Sequence, residues 1–167
     1  MTVPVAMSGD AQSASRIAKI TLDERSVVRR SAEVEHERAV AIYDLIEDNS
    51  FRLFGDEAGP YSLHLSIEEN RLIFDARDTE EQPRRRIALA LTPFRMIVKD
   101  YFQVCESYFS AIRTASPSQI EAIDMGRRAL HNEGSELLRQ RLEGKIELDL
   151  DTARRLFTLI CVLHIKG

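Results

Sequence analysis

The chain has 167 residues, of which 44% are hydrophobic and 30% are charged, and its formal net charge is −4. This length and composition are typical of one globular domain rather than of a disordered segment. No apolar run reaches the roughly 18 residues that a membrane-spanning helix needs, so we expect no membrane contact. The negative net charge argues against nucleic-acid binding, which usually requires a basic surface.

The N-terminus and the cysteines indicate where the protein resides. Residues 1–15 are small and polar and lack the basic segment and long apolar stretch of a signal peptide. We therefore predict a disordered N-terminal tail over 1–15 and a single domain over 16–167. Cys105 and Cys161 are far apart, each in an apolar helical stretch, which is typical of free thiols in a reducing compartment. The sequence predicts a cytoplasmic protein.

The N-terminal half of the domain has mainly strand patterns. A modest strand signal over 16–23 precedes a helix that Ser31 can cap and that extends to about Asp48. Hydrophobic and polar residues then alternate in three consecutive segments, 61–68, 71–77 and 84–91. Turn residues separate these segments, which indicates an antiparallel meander with one buried face and one polar face.

After residue 91 the hydrophobic residues recur every three or four positions, which predicts helices. Thr92 is predicted to cap the first of them, with Pro93 in its first turn. Ser116 is predicted to begin the second helix, because Ser116 and Gln119 have the spacing of a capping box.

Two glycines predict interruptions in the second helix. We expect it to break at Gly134 and its continuation to end at Gly144. A short strand over 145–149 follows, and the last helix is apolar almost all round from Leu156 onward, which predicts a central position. Together these elements predict an α+β domain, in which an antiparallel sheet of four or five strands packs against a helical layer from the C-terminal half.

Four segments of the chain carry a family resemblance. They are EHERAVAIYDLIEDNSF (35–51), LTPFRMIVKDYF (91–102), ESYFSAIRTASPSQIEAIDMGRRALHNEGSELLRQRL (106–142) and DTARRLFTLICVLH (151–164). The chain resembles uncharacterised protein family 0262, a bacterial family with no assigned function. The resemblance covers nearly everything after the tail. It implies a single bacterial cytoplasmic domain, and it brings no catalytic residues.

A charged residue within a hydrophobic seam gives the first candidate site. Arg127 falls inside the apolar face of the helix that follows Ser116, and Asp124 and His131 border the same face. The functional hypothesis is a pocket in which Arg127 holds an anion, His131 with Asp124 supplies a proton-transfer or binding pair, and Glu133 lies nearby. The alternative, and the commoner outcome, is a structural ion network around an arginine that needs a partner.

The start of that helix gives the second candidate site. Free amides, two hydroxyls and an arginine one turn earlier can hold a phosphate or a carboxylate. The residues of this predicted anion-binding site are Arg113, Thr114, Ser116 and Ser118. The alternative is ordinary capping, which already accounts for Ser116.

Metal and cofactor motifs are incomplete in this sequence. Glu33 and His36 form a single Glu-x-x-His, whereas di-metal carboxylate bundles use two copies with two further glutamates. Cys161 and His164 have the spacing of half a zinc site without a second half. Glycine-rich phosphate loops and nucleophile elbows are also absent, so we predict no metal and no cofactor.

Three functions remain open. The leading interpretation is a non-catalytic interaction or regulatory protein that binds a small anion and associates with a partner protein or a second copy of itself. The alternative is an enzyme of unassigned type that uses Arg127, His131 and Asp124. RNA or ribonucleoprotein binding ranks third because of the net negative charge.

Overall fold

The computed structural model describes residues 15–24, 32–56 and 59–164. The predicted tail, apart from Ser15, and the predicted cap at Ser31 lie outside these residues. In chain order the elements are β1 (Ile17–Leu22), α1 (Ala32–Glu47), β2 (Phe51–Leu53), β3 (Tyr61–Glu68), β4 (Arg71–Arg77), β5 (Pro83–Ala90), α2 (Thr92–Thr114), α3 (Pro117–Leu142), β6 (Ile146–Leu148) and α4 (Leu150–His164). The predicted α+β class is confirmed, with most of the helical residues in the C-terminal half.

Within the described residues, the main sheet has four strands in the order β1-β3-β4-β5. The predicted antiparallel meander is formed by β3, β4 and β5. β1 runs parallel to β3, so the sheet is mixed where a purely antiparallel one was expected. Parallel neighbours need a crossover connection, and α1 lies in the connection between these two strands. β2 and β6 form a separate antiparallel pair.

The core lies between the inner face of the sheet and α4. From β3 and β4 it takes the alternate hydrophobic residues Tyr61, Leu63, Leu65, Leu72, Phe74 and Ala76, all buried. The helix α4 contacts α1, α3 and β3, and nearly every residue from Leu156 to Leu163 is buried. The predicted central position of this helix is therefore confirmed. Within the described residues, no helix has the length and apolar character needed to cross a membrane.

A side-chain amide joins the end of α1 to the start of β1. Asn49 Oδ1 accepts a hydrogen bond of 2.7 Å from the backbone amide of Ile17. Asn49 Nδ2 donates to the carbonyl oxygens of Ile17 at 2.9 Å and Leu45 at 2.7 Å. These three hydrogen bonds satisfy backbone groups that the sheet and the helix leave open, as part-buried polar groups require.

The predicted break in α3 at Gly134 is wrong, because the helix is continuous from Pro117 to Leu142. Gly134 is buried where α3 crosses α4, and a Cβ atom built on it would lie 2.1 Å from Cζ of Phe157. The glycine therefore allows close helix packing and does not end the helix. Gly144, with a φ of +78°, follows the last turn of α3 as predicted.

The structure describes two of the predicted helix caps, Ser116 and Thr92, and confirms the first of them. Ser116 and Gln119 form the predicted capping box, and the Thr152 amide donates to Asp149 Oδ1 at 2.9 Å at the start of α4. The predicted cap at Thr92 is wrong, because Leu91 precedes the helix and makes no side-chain cap hydrogen bond. The Thr92 hydroxyl instead accepts a hydrogen bond of 3.2 Å from Asn70 Nδ2.

Candidate functional site

A cavity of about 530 Å³ opens between α1 and α3, above α4. We call it the groove. Both α1 and α3 pack against α4, which leaves the space between them open. The residues that line the groove include Glu37 and Asp44 of α1, Tyr101 of α2, Arg127, Arg128 and His131 of α3, and Arg154, Arg155 and Thr158 of α4.

Arg127 lies at the groove wall and is held from behind by two contacts. Its side chain is 25% exposed, and its Nη2 donates to Asp124 Oδ1 at 2.6 Å. Its guanidinium carbon lies 4.7 Å from the centroid of the Tyr108 ring, a cation–π contact. Asp124 also forms a salt bridge with Arg128 at 3.0 Å, and the adjacent Arg127 holds the pKa of Asp124 below its ordinary value. These contacts fix the guanidinium while one side of it faces the groove.

His131 forms part of the floor of the groove. Its Nε2 lies 2.8 Å from Thr158 Oγ1, and its ring centroid is 5.4 Å from that of Tyr101 and 5.3 Å from that of Phe157. Burial, together with the charges of Arg154 and Arg127, lowers the pKa of His131 to about 4. The imidazole is therefore neutral at pH 7.

The four residues of the first predicted site are thus placed in different environments. Arg127 and His131 both line the groove, whereas Asp124 lies behind Arg127 and is not part of the lining. His131 contacts Thr158, whereas Asp124 pairs with Arg127 and Arg128. The predicted pair of His131 and Asp124 is therefore not formed. Glu133 is exposed and does not line the groove.

The second predicted site keeps its side chains at the surface. Arg113, Thr114, Ser116 and Ser118 are all exposed. The Ser116 hydroxyl accepts a hydrogen bond of 3.3 Å from the Gln119 amide and lies 3.3 Å from the Ser118 hydroxyl. Capping therefore occupies the central hydroxyl, and anion binding at this helix start stays a prediction.

Sequence reasoning missed the acidic wall of the groove. Glu37 and Asp44, both on α1, are absent from the two predicted sites. The structure turns both toward the groove, and burial raises the pKa of Glu37 while the charges of Arg127 and His36 lower it. The two positions are seven residues apart, which places them on the same face of a helix, and this spacing was the sequence signal that could have identified them.

The two arginines of α4 were also missed. Arg154 Nε donates to Asn132 Oδ1 at 3.0 Å, and Arg155 Nη1 donates to the Asp48 carbonyl at 2.5 Å. These bonds keep both side chains near the groove rather than extended into water. The signal was an Arg–Arg pair at the start of a helix that is otherwise apolar and central.

The described residues contain no group of three or more His, Cys, Asp or Glu residues positioned to hold a metal ion. Cys105 and Cys161 are buried free thiols. Burial raises the pKa of the Cys105 thiol to about 11 and that of Cys161 well above its ordinary value.

Comparison with known proteins shows one family. The model of the family described as "Uncharacterised protein family (UPF0262)" matches residues 14–166. A UPF0262 protein of Paramagnetospirillum magneticum is 65% identical over 152 residues, 91% of this chain and 97% of the relative. UPF0262 proteins of Rhodospirillum rubrum and Xanthobacter autotrophicus are 62% and 61% identical over 159 residues, which is 95% of this chain and 98% and 97% of the relatives. No solved structure matches the chain.

Proposed function

This chain belongs to the uncharacterised protein family UPF0262, and from its groove we propose that it is a non-catalytic cytoplasmic regulatory protein that binds a small anionic molecule. The family name assigns no activity, so the proposal rests on the groove itself. A cavity of about 530 Å³ lies within the range of small-molecule sites. Regulation would follow if ligand binding changed how the protein associates with a partner or with a second copy of itself.

The observation that carries the proposal is the excess of arginine among the described residues that line the groove. Four of them are arginines (Arg127, Arg128, Arg154 and Arg155) and two carry carboxylates, so positive side chains exceed negative ones by two, which favours a bound anion. The planar guanidinium fork suits carboxylate and phosphate groups better than the point charge of a lysine does.

Two further features support the non-catalytic and cytoplasmic parts of the proposal. The two residues predicted to form a proton-transfer pair contact other groups instead. His131 is neutral and lies within hydrogen-bond distance of Thr158, and Asp124 forms a salt bridge with Arg127. The buried free thiols Cys105 and Cys161 suit a reducing compartment.

Isothermal titration with inorganic phosphate at constant ionic strength tests the proposal. We expect the unaltered protein to bind phosphate and the double variant Arg154→Gln/Arg155→Gln to lose measurable binding. Arg141→Gln is the matched control, because Arg141 is an exposed arginine of α3 outside the groove lining. Equal binding by the double variant and the control would contradict an anion site in the groove.

An enzyme is the second candidate, and the placement of Glu37 favours it. This carboxyl lies in the groove with a pKa raised by burial, as general acids and bases often do. A thermal-shift screen of metabolites, followed by mass spectrometry of each stabilising compound after incubation with the protein, separates the two functions. Compounds returned unchanged indicate a binding protein, whereas a product that Glu37→Gln fails to form indicates an enzyme.

A further inference from the structure

The two walls of the groove carry opposite charges. Glu37 and Asp44 stand on α1, seven residues and therefore about 10 Å apart along one helix face. The α3 side carries the guanidinium groups of Arg127 and of Arg154, which donates to Asn132 of α3, and we call these two groups the arginine wall. A ligand between the helices therefore meets carboxylates on one side and arginines on the other.

The ion pairs of the arginine wall stay within that wall. Arg127 pairs with Asp124 of α3, and Arg154 Nη1 lies 3.9 Å from Asp151 Oδ1 of α4. Among the described residues, no salt bridge crosses from these arginines to the carboxylates of α1. Arg155 lies at the α1 end of the groove, where it donates to the backbone carbonyl of Asp48.

The carboxylates of α1 are correspondingly open to a ligand. The side chains of Glu37 and Asp44 take part in no salt bridge or hydrogen bond within the part of the chain that the structure describes. Glu37 and Arg127 both line the groove, and the charge of Arg127 lowers the pKa of Glu37 although no salt bridge joins the two side chains in the described residues. Opposite charges that stay apart can both be satisfied by one molecule that carries both signs.

We propose that the groove selects a zwitterion, whose carboxylate or other anionic group binds the arginine wall and whose ammonium group binds Glu37 and Asp44. This inference rests on the proposed anion binding and names the ligand class. A simple anion would gain the arginine contacts but would also face the two carboxylates, which disfavour it. The neutral floor of Tyr101, His131 and Thr158 suits the uncharged segment between the two ends of such a ligand.

The test compares matched probes that differ only in the ammonium group. The dissociation constants of 4-aminobutyrate and 6-aminohexanoate are measured against those of butyrate and hexanoate, by NMR titration of the ¹⁵N-labelled full chain at constant ionic strength. We expect at least one amino acid to bind about tenfold more tightly than its matched carboxylate, as one added charged contact provides. In Glu37→Gln this preference should fall to about threefold or less.

Two controls distinguish the possible failures. Glu47→Gln changes an exposed carboxylate of α1 outside the groove and should keep the full preference. Asp44→Asn gives a second test if Glu37→Gln does not show the native pattern of amide resonances. Equal binding of amino acids and plain carboxylates would overturn the zwitterion and leave the proposed anion binding intact, whereas failure of both probe classes and of phosphate would overturn both.

Discussion

Gly134 of α3 lies directly against the ring of Phe157 of α4, with no space for a side chain. A Cβ atom at Gly134 would lie between 2.1 and 2.6 Å from three ring carbons. Because overpacking of this kind forces backbone or rotamer shifts, we expect Gly134→Ala to lower the free energy of unfolding by about 2 kcal/mol. Urea denaturation followed by circular dichroism measures this change.

Gly126 provides the matched control in the same helix. No atom lies within 4 Å of a Cβ built at this position, so alanine is accommodated without a clash. Because alanine is the better helix former, Gly126→Ala should raise the free energy of unfolding by about 0.5–1 kcal/mol. A similar effect of the two substitutions would mean that α3 and α4 do not approach each other as described.

His131 makes the stability of the protein sensitive to mild acid. The unfolded chain protonates this imidazole near the ordinary pKa of 6.5, whereas the folded protein resists protonation until about pH 4. The unfolded state therefore binds more protons between these values, so the stabilisation present above pH 6.5 is lost as the pH falls toward 4. We expect this group to lower the free energy of unfolding by about 2 kcal/mol when the pH falls to 4.5. Urea denaturation at several pH values measures this change.

The substitution His131→Gln isolates this contribution from other acid effects. Glutamine does not titrate, so the variant should lose about 2 kcal/mol less than the unaltered protein between pH 7 and pH 4.5. Parallel pH profiles of the two proteins would show that His131 is accessible to protons in the folded state.

Asn49 must be an amide because it both donates and accepts. In Asn49→Asp a carboxylate oxygen would face the carbonyl oxygens of Ile17 and Leu45, which now accept from Nδ2. We expect the free energy of unfolding to fall by about 2 kcal/mol or more at pH 7. Asn132→Asp is the control, since among the described residues Asn132 uses only its oxygen, toward Arg154. This variant should unfold at an unchanged or slightly higher denaturant concentration.

The two cysteines should resist modification in the folded protein. Cys105 is 5% exposed and Cys161 is 2% exposed, and burial raises both thiol pKa values, which keeps the reactive thiolate scarce. We expect Ellman's reagent at pH 8 to detect both thiols in denaturant and neither within minutes in its absence. Rapid reaction of the native protein would indicate that the core around α4 opens.

Local patterns in the sequence predicted most of the elements. The alternation over 61–68 and the capping box at Ser116 correspond to β3 and to the start of α3, because both signals depend on residues close together in the chain. The parallel pairing of β1 with β3 was not predicted, since strand order depends on the path of the connection. Gly134 was misinterpreted for a similar reason, because its close contact, Phe157, lies on another helix.

The candidate site was predicted only in part. The hydrophobic seam of α3 identified Arg127 and His131, which both line the groove. The acidic wall on α1 could not be placed opposite them, because periodicity gives the face of a helix but not the neighbour that this face meets. Asp124 borders the same face as Arg127 and pairs with it rather than with His131.

Asn49 also limits how the groove can adapt to an occupant. If the end of α1 moved away from α4, either the hydrogen bonds between Asn49 and Ile17 would break or β1 would be pulled from the edge of the sheet. The acidic wall is therefore fixed to the sheet and does not move independently of it. We expect the groove to select ligands whose charged ends match the distance between the two walls. Binding should order the protein little, and longer or shorter homologues of a bound ligand should bind less tightly.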